Sequence, residues 1–200
     1  MGLGVRGFMR IGAAIAGCAL VAACTPNQPP AVTPTPTPAA TPSPTPSATP
    51  TETDIERRMR LDFEAAERAY RTSRSEQDRL ARLGSAAATP TLRRTSTGEY
   101  LEFALSSLQR IKNSGWRTVG GVKIVGIARG GWQSNRLHLT SCEDGSSIRF
   151  IDESNKDVTP DNPVRTFIQE FTIIKVDGDW KVSELRSKRV ESFDGAPCEA

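Results

Sequence analysis

A run of proline and threonine over residues 25–50 limits where this chain of 200 residues can fold. The run holds ten of the fourteen prolines and no charged or aromatic residue. Proline lacks a backbone donor and fixes φ, and small side chains leave nothing to bury, so the run predicts an extended polyproline-type tether. At about 3.1 Å per residue it would reach roughly 80 Å. A hydrophobic core is therefore expected only after this run.

The residues before the run have the features of an export signal. Arg6 and Arg10 precede an apolar stretch, residues 11–23, which is too short to span a bilayer as a helix of about 20 residues. The sequence Leu20-Val21-Ala22-Ala23-Cys24 resembles the lipobox of bacterial lipoproteins. The resemblance implies cleavage before Cys24 and attachment of lipid, such as palmitate, to that cysteine.

Two alternatives to a lipidated Cys24 stay open. The sequence Ile15-Ala16-Gly17-Cys18 also fits a lipobox, although the apolar run before Cys18 is short for a signal. An uncleaved signal that acts as a plain membrane anchor is the other alternative. Myristoylation is not expected, because Arg6 stands where that motif requires Ser or Thr.

These features predict three segments. They are a signal peptide (1–23), a lipidated Cys24 with a Pro/Thr-rich stalk (24–52) and one folded domain (53–200). The domain is expected at the extracytoplasmic face of the cell membrane, held there by lipid. The threonine density of the stalk is similar to that of glycosylated stalks of exported proteins.

The net charge argues against nucleic acid as a partner. Without the signal, which contains Arg6 and Arg10, the chain keeps 24 of its 26 Lys and Arg and all 23 Asp and Glu, so its net charge is only +1. Nucleic-acid binding requires a concentrated basic face. The arginines at 57, 58 and 60 are interleaved with Asp54, Glu56 and Asp62, which indicates a solvated helix face instead.

Cysteine usage predicts one disulfide and no metal site. Cys142 and Cys198 remain after Cys18 and Cys24 are assigned to the signal and the lipid, and an isolated pair in an exported chain is oxidised by default. The chain has a single histidine, His138, and no Cys-x-x-Cys sequence, so a zinc site would lack its usual ligands. No cofactor is expected.

Two helices are predicted at the start of the domain. Thr53 and Glu56 stand at capping-box spacing, and a second helix is predicted from Ser96, with Glu99 three residues later, to a stop at Asn113-Ser114-Gly115. The apolar stripe of the first helix is Ile55, Met59, Phe63, Ala66 and Tyr70, and that of the second is Leu101, Ala104, Leu105, Leu108 and Ile111.

From Trp116 onward the hydrophobic period changes from 3.6 to 2, which predicts strands. They are expected over residues 117–128, 136–142, 147–151, 166–176 and 180–188. Turns are expected at Gly130-Gly131 and at Asp177-Gly178, because glycine, and Asp in an Asp-Gly pair, accept positive φ. Helices followed by an antiparallel meander predict an α+β domain with its helices packed on one face of the sheet.

This element order, with the hairpin Phe171-Thr172-Ile173-Ile174-Lys175-Val176-Asp177-Gly178-Asp179-Trp180-Lys181-Val182, resembles the nuclear transport factor 2-like superfamily. The resemblance spans about residues 54–190 and implies a cone, in which a curved antiparallel sheet wraps a helix and leaves a pocket. With its predicted lipid anchor and Pro/Thr stalk, the chain resembles members of this superfamily that are typical of actinobacterial cell envelopes. The short strand pair and helix that usually precede the main sheet cannot all be placed in this sequence.

Aromatic residues are the candidates for lining that pocket or filling it. They are Tyr70, Tyr100, Phe103, Trp116, Phe167 and Phe171. No catalytic set is identified, because His138 has no carboxylate beside it in the sequence and Glu170 is expected to face outward from its strand.

The sequence therefore favours a lipid-anchored, non-enzymatic domain that binds a small apolar ligand or a protein partner at the envelope. One alternative is an enzyme of the same fold, of the isomerase, dehydratase or cyclase type. The other is a structural accessory subunit of an envelope complex. An acidic or Tyr side chain in a wet cavity would favour the enzyme, whereas a dry, filled interior together with an exposed apolar patch on the sheet would favour docking.

Overall fold

The computed structural model describes residues 52–161 and 165–198. Its elements are α1 (Asp54–Arg82), α2 (Pro90–Thr95), α3 (Gly98–Asn113), β1 (Arg117–Val119), β2 (Lys123–Gln133), β3 (Arg136–Asp144), β4 (Arg149–Ile151), β5 (Thr166–Val176) and β6 (Asp179–Val190). The predicted signal peptide, both candidate lipidation sites, Cys18 and Cys24, and nearly all of the predicted stalk lie outside the described residues. Within those residues, no helix has the length and apolar character needed to cross a membrane.

Helix α1 begins at the predicted capping box. The backbone N–H of Glu56 donates to Thr53 Oγ1 over 3.2 Å, and the N–H of Thr53 donates to the Glu56 carboxylate over 2.8 Å. Ile55 and Met59, which were predicted to continue the buried stripe, are exposed. The first residue of α1 whose side chain hydrogen-bonds to the strands is Asp62. Ile55 and Met59 lie in the turns before it, which such bonds do not hold against the sheet.

The second predicted helix is present as α3, but it starts at Gly98, two residues after the predicted Ser96. A short helix, α2, begins at Pro90 after its N-cap Thr89, and Ser96 is extended and forms a parallel bridge with Val182. The N–H of Thr97 donates to the carbonyl of Val182 over 2.8 Å before α3 begins. Ser96 and Thr97 thus bond to β6, a tertiary contact that competes with the local capping signal. The predicted end of α3 at Asn113 is confirmed.

Four strands form one antiparallel sheet in the order β2-β3-β5-β6. The predicted strand over 117–128 is interrupted after Val119, and β1 pairs with β4 in a separate two-stranded sheet. The turn predicted at Gly130-Gly131 is wrong. Both glycines lie inside β2 at a shift of register between Arg129 and Trp132, where a Cβ on Gly130 would lie only 3.1 Å from that of His138, and the chain turns after Gln133.

The hairpin between β5 and β6 is confirmed. Asp177 and Gly178 have φ of +53° and +88°, as a tight two-residue turn requires, and Val176 pairs with Asp179 on either side of it.

The helices pack on one face of the sheet, which confirms the α+β prediction. Along β3, Leu137 and Leu139 are buried beneath α1 while His138 between them is exposed. The main core consists of Phe63, Ala66, Tyr70, Tyr100, Leu137, Leu139, Phe171, Ile173, Trp180 and Val182. A second core of Leu80, Leu92 and Leu108 takes one residue from each helix and so joins the three helices.

Candidate functional site

Three of the six predicted aromatic residues meet in the interior. The ring centroids of Tyr70 and Phe171 are 4.6 Å apart, and the Tyr100 ring meets Phe171 edge-on at 5.8 Å. All three side chains are buried. Because they contact one another, they fill the space between α1, α3 and β5.

The other three predicted residues lie elsewhere. Phe103 is 49% exposed, because the buried face of α3 is formed by Tyr100, Ala104 and Leu108. Trp116 precedes β1 and its ring lies 5.9 Å from that of Phe150 on β4. Phe167 is partly buried near the start of β5. The six aromatic residues therefore do not form one pocket wall.

The interior also holds a buried polar cluster that the sequence analysis did not identify. The Tyr70 hydroxyl donates a hydrogen bond to the carboxylate of Glu143 and lies 2.8 Å from Ser141 Oγ. Ser141 and Glu143 continue the inward-facing alternation of Leu137 and Leu139 along β3, and both are buried. That alternation was the sequence signal that could have placed them inside.

Arg74, one turn after Tyr70 on α1, supplies the positive charge of this cluster. Its Nε lies 3.6 Å from Glu143 Oε2 and 3.9 Å from Asp78 Oδ1. Among the described residues, Arg74 Nε and Glu143 Oε2 have no hydrogen-bond partner although both atoms are buried. The two groups thus form a buried ion pair without a hydrogen bond between them.

The surroundings shift the pKa values of Tyr70, Arg74 and the nearby Tyr100. Burial raises the pKa of Tyr70, and the Glu143 charge raises it further, so Tyr70 stays neutral and donates its proton. Burial opposes the charge of Arg74, but the carboxylates of Glu143 and Asp78 outweigh burial and the pKa of Arg74 is raised. Burial also raises the pKa of Tyr100, whose hydroxyl accepts from Gln77 over 2.8 Å.

A groove lies on the surface at the start of α1. Its volume is about 590 Å³, and it is lined by Glu52, Glu56, Met59, Arg60, Phe63, Arg129 and Gly130. The α1 side of the groove comes from the first turns of the helix. The β2 side comes from the bulge that contains Gly130.

The charged groups of the groove already have partners. Arg60 bonds to Glu52 over 2.9 Å and to Glu64 over 3.1 Å, and the bond to Arg60 lowers the pKa of Glu52. Arg129 bonds to Glu67 over 2.8 Å, and its guanidinium lies 5.5 Å from the centre of the Phe63 ring. The groove therefore offers paired charges around the apolar surface of Met59 and Phe63.

Asp62 anchors α1 next to the groove. It was expected on a solvated face, but it is buried and accepts from the indole N–H of Trp132 over 3.1 Å and of Trp180 over 3.2 Å. Lys175 lies 3.4 Å from the same carboxylate. One carboxylate thus binds the helix to both long hairpins of the sheet.

The remaining predicted residues face away from the interior. His138 and Glu170 are exposed on the other side of the sheet, as expected.

The predicted disulfide between Cys142 and Cys198 is confirmed, with a Cα–Cα distance of 5.9 Å. Among residues 52–161 and 165–198, no group of three or more His, Cys, Asp or Glu side chains is placed to hold a metal ion.

No family model and no curated protein matches the chain. Solved structures that are similar to it in shape include three proteins of low sequence identity. The intermembrane space region of the chloroplast protein ARC6 has a TM-score of 0.42 and 14% identity, over 64% of this chain and 96% of that one. The protein Aln2 from a Streptomyces species has a TM-score of 0.40 and 7% identity, over 64% of this chain and 90% of that one.

The third is the protein assigned as a scytalone dehydratase from Novosphingobium aromaticivorans, with a TM-score of 0.40 and 14% identity, over 67% of this chain and 87% of that one. Similarity at this level assigns neither a family nor an activity. The α+β arrangement stands on the elements themselves, and the nuclear transport factor 2-like relationship stays a resemblance.

Proposed function

We propose that the chain is a lipid-anchored, non-enzymatic domain at the extracytoplasmic face of the cell membrane, and that the groove at the start of α1 binds a small, mainly apolar ligand. The filled interior is the observation that carries this proposal. Tyr70, Leu139 and Phe171 are no more than 2% exposed, and the rings of Tyr70 and Phe171 are in contact, so these side chains occupy the space between the helices and the sheet. A ligand has no room among these side chains, and recognition falls to the surface.

The groove has the size and chemistry for such a ligand. Its volume of about 590 Å³ is within the range of small-molecule sites. Met59 and the aliphatic stems of Arg60 and Arg129 supply apolar surface. A charged ligand would have to break ion pairs that already exist, whereas an apolar ligand would not.

The lipid anchor has its own test. Cys24→Ala is expected to release the protein from the membrane or to leave an unprocessed precursor, whereas Cys18→Ala should be processed and acylated normally. Mass spectrometry of the mature N-terminus distinguishes the two. A Cys24→Ala protein that is still cleaved and acylated would transfer the assignment to Cys18.

Native mass spectrometry of protein purified from its own membrane tests the groove. We expect a bound small molecule that is lost in Met59→Lys and retained in Phe103→Lys, which places the same exposed charge on α3. A bound protein that is lost in Met59→Lys would instead favour the accessory-subunit alternative. Retention of the small molecule in Met59→Lys would place the site elsewhere.

An enzyme of the same fold is the second candidate, and the cluster of Tyr70, Arg74 and Glu143 is the observation that favours it. Buried ionisable groups with shifted pKa values are common at active sites. Complementation of a deletion strain by Tyr70→Phe and Glu143→Gln, at matched protein level, decides between the candidates. Loss of function with an unchanged melting temperature would place the enzyme first, and His138→Ala and Glu170→Gln serve as exposed controls.

A further inference from the structure

The outer face of α1 carries a stripe of arginines. At about 100° of rotation per residue, the side chains of Arg57, Arg68, Arg71, Arg79 and Arg82 lie within roughly 40° of one line along the helix. All five are exposed or half-buried, and this line is opposite the buried side that contains Phe63, Ala66 and Tyr70. We refer to these five residues as the arginine stripe.

Acidic side chains neutralise only part of the stripe. Arg57 pairs with Asp54 over 3.0 Å and Arg79 pairs with Glu76 over 2.7 Å. Arg68 and Arg71 form no ion pair with any residue of the described ranges.

The nearby acids are engaged elsewhere. Glu64, which lies on the same line as the stripe, pairs with Arg60 over 3.1 Å. Asp62, which the sequence placed among the compensating charges, is turned inward to Trp132 and Trp180. The outer face of α1 is therefore more positive than the order of charges along the sequence indicates.

Exposed leucines lie beside the stripe. Leu61 is 51% exposed and Leu83 is 64% exposed, and both lie within roughly 80° of the line of the arginines. At about 1.5 Å per residue, the stripe from Arg57 to Arg82 extends over roughly 40 Å. A long row of cations with apolar side chains beside it is complementary to a bilayer surface, which has anionic headgroups outside and hydrocarbon beneath.

We infer that the arginine stripe binds a bilayer surface containing anionic lipid, with Leu61 and Leu83 at the boundary between headgroups and acyl chains. Guanidinium groups bind phosphate oxygens through paired hydrogen bonds. A soluble polyanion would satisfy the arginines but would give the leucines no apolar surroundings. The groove is on a different side of α1, since Met59 and Phe63 point away from the stripe, and it stays open in this orientation.

Vesicle flotation tests the inference. The chain from residue 25 onward lacks both the signal and the acylated cysteine, so neither of them binds the vesicles. We expect it to float with phosphatidylcholine vesicles that contain phosphatidylglycerol and not with phosphatidylcholine alone. Arg68→Gln combined with Arg71→Gln should weaken this binding roughly 30-fold.

The matched control is Arg186→Gln combined with Lys188→Gln, which removes the same charge from β6. Equal loss in this control, or equal binding to uncharged vesicles, would overturn the inference. So would unchanged vesicle binding by Leu61→Ser together with tight binding of soluble polyphosphate, because a phosphate polymer would then be the partner. Met59→Lys should float normally, which keeps this test separate from that of the groove.

Discussion

A Cβ atom on Gly126 would lie 1.9 Å from the carbonyl oxygen of Cys198, because the C-terminal tail packs directly on the backbone of β2. Gly126 is also the strand partner of Cys142, to which Cys198 is bonded. The tail therefore contacts the sheet at a place where Gly126 leaves room for the tail backbone and the disulfide bonds the tail to the neighbouring strand.

Gly126→Ala is expected to displace the tail and to lower the free energy of unfolding by roughly 1–3 kcal/mol. Urea denaturation measures the loss. Gly131→Ala is the matched control on the same strand, because its Cβ would meet His138 at an ordinary 3.6 Å. In a Cys198→Ser background, where the tail can move away, the cost of Gly126→Ala should shrink. An equal cost in both backgrounds would contradict this account.

Cys198→Ser is expected to destabilise the domain by about 4 kcal/mol in the chain-entropy treatment, since the bond closes a separation of 56 residues. The closed segment contains β4, β5 and β6, so the bond ties the end of the chain to a central strand of the sheet. Reduction of the unmodified protein should give the same loss. Two free thiols in the non-reduced protein would refute the pairing.

The sequence predicted the elements that depend on local chemistry. The capping box at Thr53, the stop of α3 at Asn113 and the turn at Asp177-Gly178 each depend on a few neighbouring residues, and each is present. The second helix starts two residues later than predicted, at Gly98 instead of Ser96, because Ser96 forms a bridge with Val182, which is distant in the sequence. Local signals could not reveal that competition.

The candidate site was predicted less well for a related reason. Periodicity placed Tyr70 and Phe171 inward correctly, but it could not show that they touch and fill the interior. Glu143 was missed because a charged residue at the end of an apolar strand resembles an exposed one until Tyr70 and Arg74 of α1 are seen beside it. The groove needs the bulge of β2, which the sequence suggested was a turn.

Arg74→Met is expected to cost roughly 3–5 kcal/mol, because it leaves the buried charge of Glu143 without its cation. The lower end is expected, since the Arg74 side chain is 21% exposed. Adding Glu143→Gln removes the unpaired charge and should recover part of the loss. A double-mutant cycle in urea measures the coupling. A double variant that loses the full sum of the two single losses would show that the pair is not coupled.

Glu76 should make stability depend on acid pH. The hydrogen bond from Arg79, helped by one from Thr89, lowers the pKa of Glu76 to about 2 from its ordinary 4.5, against the effect of burial. A lowered pKa stabilises the folded state above pH 4.5, and this stabilisation is lost as the pH falls toward 2.

The corresponding measurement is the free energy of unfolding of Glu76→Gln and of the unmodified protein across that range of pH. We expect a flatter dependence on pH in Glu76→Gln, and a partly flattened one in Arg79→Gln, which keeps the carboxylate but removes its main donor. Parallel curves for Glu76→Gln and the unmodified protein would show that Glu76 titrates alike in the folded and unfolded states.

Phe171 and Phe103 were predicted as equivalent pocket residues, and the structure separates them. Phe171 contacts Tyr70 and Tyr100 in the filled interior, so Phe171→Ala should leave a cavity and cost roughly 3–5 kcal/mol. Phe103 is half exposed on α3, and Phe103→Ala should change stability by less than about 1 kcal/mol. Urea denaturation of both variants measures the difference. A comparable loss in the two variants would mean that Phe103 is buried in solution, and it would support a pocket wall that includes α3.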